Sequence, residues 1–153
     1  MFLSTTINGV DAKGRVSVPA DFRSVVRDGP FDGIIVWPSF DGPYLEGGGQ
    51  ALLEHYQRLI EDMDPYDDAR VAFERAIFGG ARPLAFDGTG RVTLPRELIE
   101  HAGLDGKATF VGLGSRFELW SPERYAEHQA SARTFARENK RALRHTPRTG
   151  GAS

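Results

Sequence analysis

The sequence predicts an α+β fold assembled from two similar halves, and three observations carry that expectation. The nonapeptide Asp11-Ala-Lys-Gly-Arg15-Val-Ser-Val-Pro19 returns as Asp87-Gly-Thr-Gly-Arg91-Val-Thr-Leu-Pro95, with Asp, Gly, Arg, Val, a hydroxyl residue and Pro at matching places. The 76-residue offset also relates Ile34-Ile35 to Phe110-Val111, so each copy extends well beyond the turn. Between the copies lie two segments with helical spacing. Two copies are too few for a solenoid, which needs about three. They suit two halves packed around a pseudo-two-fold axis.

The elements follow in order. Ser4 to Gly9 reads as a short strand leading into the Asp11–Gly14 turn. Arg15-Val-Ser-Val alternates with period two, Val16 and Val18 on one face and Arg15 and Ser17 on the other. Pro19 opens a helix, where its missing N–H costs nothing, and Phe22, Val25 and Val26 give that helix an apolar face. Phe31 to Val36 is the next strand, with a weaker candidate at Pro43–Glu46. Gln50 to Met63 carries Leu52, Leu53, Tyr56, Leu59, Ile60 and Met63 at helical spacing and ends at Asp64-Pro65. Asp67 caps a second helix to Phe78, with Ala69, Ala72, Phe73, Ala76 and Ile77 on one face and Gly79-Gly80 stopping it.

The second half retraces the first. Leu84 to Phe86 precedes the repeated turn, Arg91 to Leu94 is a strand, and Pro95 to Ala102 is a helix closed by Gly103. Ala108 to Leu113 and Phe117 to Trp120 pair as a hairpin through Gly114-Ser115. Ser121-Pro122-Glu123 starts a helix that carries Tyr125, Ala126 and Gln129 before fading into a basic tail. His145 to Ser153 is expected to be disordered.

Composition narrows the function. The 153 residues include no cysteine, which excludes disulfides and thiolate zinc sites. The longest purely apolar run, Ile34 to Trp37, is far short of a membrane span, and Met1-Phe-Leu-Ser has no export pattern behind it, so a cytoplasmic location is expected. The net charge is −2. Arg133 to Ser153 holds six Lys/Arg against one Glu, leaving −7 on residues 1–132. An acidic body cannot hold nucleic acid by diffuse attraction, because counterion release requires phosphates to meet cations. Binding would have to come from locally concentrated arginines, from many copies, or from the tail.

A turn with an arginine at its tip, present twice, points to a binding protein before an enzyme. Arg15 can fork onto guanine O6 and N7 or clamp a phosphate, with Lys13 adding a second phosphate contact. Gly14 lets the backbone approach closely. Alternatively, Asp11 caps its own turn and pairs with Arg15. For Arg91 a contact with DNA and an intersubunit or inter-repeat contact weigh evenly. Asp11 and Asp87 suit turn amides better than a catalytic pair. His55, His101, His128 and His145 lack metal-ligand spacing, and Gly112-Leu-Gly114 is hairpin chemistry. Tyr44, Phe117 and Trp120 favour packing over base stacking. No catalytic residue, metal or cofactor is expected.

With its paired Asp-x-x-Gly-Arg turns, each followed by an apolar strand and Pro, its intervening helix pair and its opening Met1-Phe, the chain resembles the MraZ family of bacterial transcriptional regulators. The resemblance covers roughly residues 1 to 130. It implies two AbrB-like repeats at 5–47 and 81–124, joined by the helix pair at 48–80 and followed by a C-terminal helix and basic tail at 125–153. It implies an interleaved swapped-hairpin β-barrel flanked by helices, assembly into a homo-oligomeric ring, and binding to tandem repeats in promoter DNA upstream of the division and cell-wall gene cluster, usually as a repressor in the nucleoid. Lys13, Gly14, Arg15 and Arg91 are then the expected DNA-binding residues, with Asp11, Asp87 and Gly90 structural in the turns. No membrane and no small-molecule substrate is expected. Two departures stand out. Glu46-Gly47-Gly48-Gly49 replaces an aromatic and proline segment, and Gly88-Thr89 lacks the cation that Lys13 provides, so unequal contributions from the two turns are expected. An antitoxin-type protein-interaction module is the alternative function.

Overall fold

The computed structural model describes residues 1–144. The expected disorder at 145–153, with His145 and Arg148, lies outside the described residues. Eight strands and five α-helices are described: β1 Thr5–Gly9, β2 Arg15–Ser17, α1 Ala20–Val26, β3 Gly33–Pro38, β4 Leu45–Gly48, α2 Gln50–Glu61, α3 Asp68–Phe73, β5 Arg82–Ala85, β6 Arg91–Thr93, α4 Arg96–Ala102, β7 Lys107–Gly112, β8 Phe117–Trp120 and α5 Pro122–Glu138. A π-helical turn, Glu74–Phe78, continues α3, and a 3-10 turn, Lys140–Leu143, follows α5. The chain divides into Met1–Pro122 and Glu123–Ser153.

The first unit is built by exchange between the halves. Six strands form an antiparallel sheet in the order β1-β7-β8-β4-β3-β5. The first strand of each half lies on the third strand of the other, with β1 on β7 and β5 on β3. Within each half β3 pairs β4 and β7 pairs β8, and the β4–β8 ladder joins the two hairpins. The duplicated strands β2 and β6 pair with each other, Arg15 opposite Thr93, Val16 opposite Val92 and Ser17 opposite Arg91. Val16 and Val92 are equivalent residues, so the pseudo-two-fold axis passes through that pair.

The expected closed barrel is not what these ladders make. Among the described residues, the end strands β1 and β5 do not pair with each other, and the three-residue β2 and β6 form a separate ribbon. The ribbon reaches β1 through a single bridge between Val10 and Val16. Strands this short carry too few backbone groups to close the sheet on both sides.

The core forms where the halves meet. Val16, Val18, Phe22, Ile34, Val36 and Leu45 from the first half pack with Val92, Leu94, Leu98, Phe110, Phe117 and Leu119 from the second, all buried. Phe22 lies within 6.0 Å, centroid to centroid, of the rings of Phe2, Phe110 and Phe117. The pairs with Phe2 and Phe110 are edge-to-face, an arrangement that adds about 0.5–1.5 kcal/mol beyond the area buried. Gly47 makes room for this cluster, because a side chain there would strike the Phe117 ring. That explains why β4 runs through Gly47 and Gly48, two residues beyond the strand expected from Pro43–Glu46. A second, smaller core joins Trp37 of β3 to Leu52 and Ile60 of α2 and Ile77 of the π-helical turn.

Other local expectations shift for physical reasons. Val25 is largely exposed, and the seven-residue α1 buries only Phe22 and Val26. Ala69 and Ala72 are exposed while Phe73 and Ile77 face the small core, because alanine has too little apolar surface to set a helix face. Asp67 caps α3 by accepting from the Ala69 amide at 2.8 Å. Helix α5 continues well past Gln129, to Glu138.

Candidate nucleic-acid interface

Each duplicated turn is organised by its aspartate. Asp11 Oδ1 accepts from the backbone N–H of Lys13 at 3.0 Å and of Arg15 at 2.8 Å. Its Oδ2 accepts from Arg15 Nε at 2.7 Å. In the second turn Asp87 Oδ1 accepts from the amides of Thr89 and Arg91 and from the Thr89 hydroxyl, each at 2.9 Å, and Oδ2 accepts from Arg91 Nε at 3.0 Å. The glycines complete the geometry at φ 83° for Gly14 and 79° for Gly90, a region that side chains with a Cβ rarely adopt. The turns are nearly copies down to exposure, with side-chain accessibilities of 36% for both arginines and 38% for both aspartates.

Each turn is anchored on the other half. Leu94 N donates to the Gly14 carbonyl at 2.8 Å, and Val18 N donates to the Gly90 carbonyl at 3.2 Å. These bonds extend the β2–β6 ribbon at both ends and hold the turns in fixed relation. Val16 and Val92 point into the core, so alternation puts Arg15, Ser17, Arg91 and Thr93 on the opposite face. Arg91 is the diagonal neighbour of Arg15 across the ribbon, a relation that puts two residues roughly 7–8 Å apart with their Cβ atoms somewhat closer. The two turns therefore frame one patch, with an arginine at each end of a short ribbon.

The ion pair with its own aspartate does not consume either arginine. Only Nε is engaged, and the two terminal nitrogens of Arg15 and of Arg91 make no hydrogen bond among the described residues. A guanidinium held by Nε is oriented, and its remaining fork matches the paired acceptors of a guanine edge or a phosphate. Lys13, exposed at the first tip, makes no ion pair among the described residues.

The aspartates are held charged. Backbone N–H bonds, that of Arg15 first, pull the Asp11 carboxyl below its ordinary value of 3.8. The Arg91 and Thr89 amides do the same more strongly for Asp87, holding it well below the usual carboxylate range. Because the folded form binds its proton more weakly, the unfolded chain takes up more protons in acid, and stability from these turns rises with pH. It is fully present above 3.8 and is lost as pH falls through the lower folded value. The amide resonances of Gly14 and Gly90 are expected to stay fixed between about pH 5 and 7 and to move only in stronger acid, Asp11's turn before Asp87's. Movement of both between pH 5 and 7 in an NMR titration would contradict this assignment.

The other sequence candidates lie elsewhere. Phe117 is fully buried. Tyr44 stacks on Trp120 at 4.2 Å, and Trp120 Nε1 donates to Glu118, so both belong to the packed seam. His101 Nε2 lies 3.0 Å from the Gly42 carbonyl. No cluster of three or more potential metal ligands occurs among the described residues, and no described helix is long and apolar enough to cross a membrane. Sequence reasoning missed Arg23. This α1 residue donates from Nη1 to the Val18 carbonyl at 2.7 Å and lies against Gly90 of the second turn. A signal existed, because Arg23 is equivalent to Ile99 and so breaks the repeat with a charge.

Comparison with known proteins places the chain. Residues 77–145 match the family described as "MraZ protein, putative antitoxin-like". A protein named transcriptional regulator MraZ from Rickettsia akari (strain Hartford) is 46% identical over 144 residues, covering 94% of this chain and 97% of the relative. Its counterpart from Rickettsia bellii (strain OSU 85-389) is 46% identical over 147 residues, covering 95% and 98%. That from Rickettsia felis (strain ATCC VR-1525 / URRWXCal2) is 45% identical over 144 residues, covering 94% and 97%. The agreement spans both turns, the helix pair and both hairpins, and the chain belongs to the MraZ family.

Proposed function

We propose that this protein is a non-enzymatic, sequence-specific DNA-binding transcriptional regulator that reads double-stranded DNA with the outer face of the β2–β6 ribbon. The observation that carries the reading is the pair of arginines on that face, each oriented through Nε with its terminal fork unbonded. Arg15 and Arg91 meet base edges or phosphates and Lys13 adds a phosphate contact, while Gly14, buried against Leu94 and Ile99, serves the binding loop by holding its left-handed turn. Asp11, Asp87 and Gly90 shape the turns. The names of the relatives support the same function class.

The finer reading follows from charge and from the exchanged strands. The pairing of β1 with β7 and β5 with β3 supports two swapped-hairpin repeats at 5–47 and 81–124, with 48–80 as the linking helix pair and 125–153 as the C-terminal segment. A monomer with residues 1–132 at −7 has little non-specific affinity, so several protomers acting together supply it. A homo-oligomeric ring laying successive ribbons along tandem promoter repeats fits this need. Repression of the division and cell-wall gene cluster, from a cytoplasmic, nucleoid-associated pool, is the role this arrangement serves.

Electrophoretic retardation of DNA upstream of the protein's own gene tests the reading. Discrete, sequence-dependent shifts are expected, and absence of binding to any upstream DNA would favour the interaction-module alternative. The cations Arg133, Arg137, Lys140, Arg141, Arg144 and Arg148 add sequence-independent attraction. Truncation after Ala132 is therefore expected to weaken cognate and scrambled duplexes by the same factor. A loss confined to the cognate duplex would contradict that role.

A further inference from the structure

The two turns differ in sequence at one electrically important place. The first has Lys13 at its tip, whereas the equivalent position in the second is Thr89, whose hydroxyl bonds Asp87. In the fold this deficit is filled from the other half. Arg23 extends from α1 and rests its guanidinium against the backbone of Gly90, so closely that any side chain at Gly90 would collide with it. Its Nη1 donates to the Val18 carbonyl, and it makes no ion pair among the described residues. At the matching place beside Gly14 the neighbour is the apolar Ile99.

Charge accounting then balances the turns. Asp11, Lys13 and Arg15 leave the first with one net positive charge, and Asp87, Arg91 and Arg23 leave the second with the same. Arg23 also lines a pocket of about 200 Å³ together with Arg27, Asp32, Phe86, Asp87 and Gly90. Both Asp87 oxygens are occupied by the turn and by Arg91. Neither Arg23 nor Arg27 forms an ion pair among the described residues, and of the two it is Arg23 whose guanidinium lies against Gly90 of the turn.

We propose that Arg23 supplies the second turn's contact to a DNA backbone phosphate, standing in for the lysine that the first turn carries as Lys13. This inference rests on the DNA-binding reading above. It also removes the expected inequality between the turns, because charge lost from one loop tip returns from the opposite half.

Binding of the full-length protein to a fluorescent duplex from upstream of its own gene, followed across a salt series, tests it. Arg23→Gln is expected to weaken binding about tenfold at low salt. The slope of log K against log salt should fall by about 0.9 for each second turn engaged. Adding Thr89→Lys to Arg23→Gln restores a cation where the first turn has one and is expected to recover the slope, which a merely structural role for Arg23 would not allow. Thr89→Lys alone leaves Arg23 in place and is expected to steepen the slope, which places the second turn at the DNA. Arg23→Lys, which keeps the cation, is expected to hold the wild-type slope where Arg23→Gln loses it. If the wild type binds, Arg15→Ala does not, and Thr89→Lys leaves affinity and slope unchanged, the second turn lies off the DNA and this inference alone falls. Failure of the wild type to bind would overturn the DNA-binding reading itself.

Discussion

Arg15→Ala is expected to abolish specific promoter binding while leaving the fold and oligomeric state intact. Arg15 is half-exposed on the outer face of the ribbon, and its side chain bonds Asp11 within the same turn, so its removal opens no cavity. A bidentate arginine–guanine pair is worth about 1–3 kcal/mol of discrimination, which is roughly tenfold to a hundredfold per engaged protomer. In a multivalent assembly that loss recurs at every copy, so the combined effect exceeds what gel retardation can follow. Arg91→Ala removes the diagonal member of the same patch and is expected to follow the same direction. Unchanged retardation of promoter DNA by Arg15→Ala, with unchanged sedimentation, would show that the ribbon face is not the reading surface.

The second large effect concerns the scaffold. Phe22→Ala is expected to destabilise the protein by about 3–5 kcal/mol, the range for deleting a buried aromatic ring. Phe22 comes from the first half, while Phe110 and Phe117 come from the second, so the ring ties together the two halves that hold the turns. A domain has only about 5–15 kcal/mol of net stability, so this loss consumes much of it. Thermal or urea unfolding should show a single transition shifted far down. A shift of less than 1 kcal/mol would mean that the aromatic cluster does not hold the halves together.

How much of this could be read in advance differs between the scaffold and the site. The duplicated turn was legible because Asp, Gly and Arg at fixed spacing have few structural uses together, and Val16 and Val92 mark the buried side of the ribbon. The helices α2 and α4 were legible from apolar spacing and from Pro95 and Gly103. What sequence could not supply was partner choice among strands. Period-two alternation says which face of β2 is buried, yet nothing local says that β1 lies on β7 rather than along β2. The extension of β4 through Gly47 and Gly48 also escaped notice, because its cause is the Phe117 ring from seventy residues away. Arg23 was missed for a similar reason. Its role depends on which backbone it meets, and that backbone belongs to the other half. The inequality expected from Thr89 treats each turn as self-contained, whereas Gly90 of the second turn has Arg23 of the other half beside it.

If the arginines of the β2–β6 ribbon face read DNA, they cover guanine N7, and methylation protection on upstream DNA registers that contact itself. With wild-type protein, protected guanines are expected within the bound upstream DNA, and the protection should vanish with Arg15→Ala at concentrations where the wild type is saturated. Full occupancy by the wild type with every guanine N7 still reactive, or identical protection by Arg15→Ala, would contradict it.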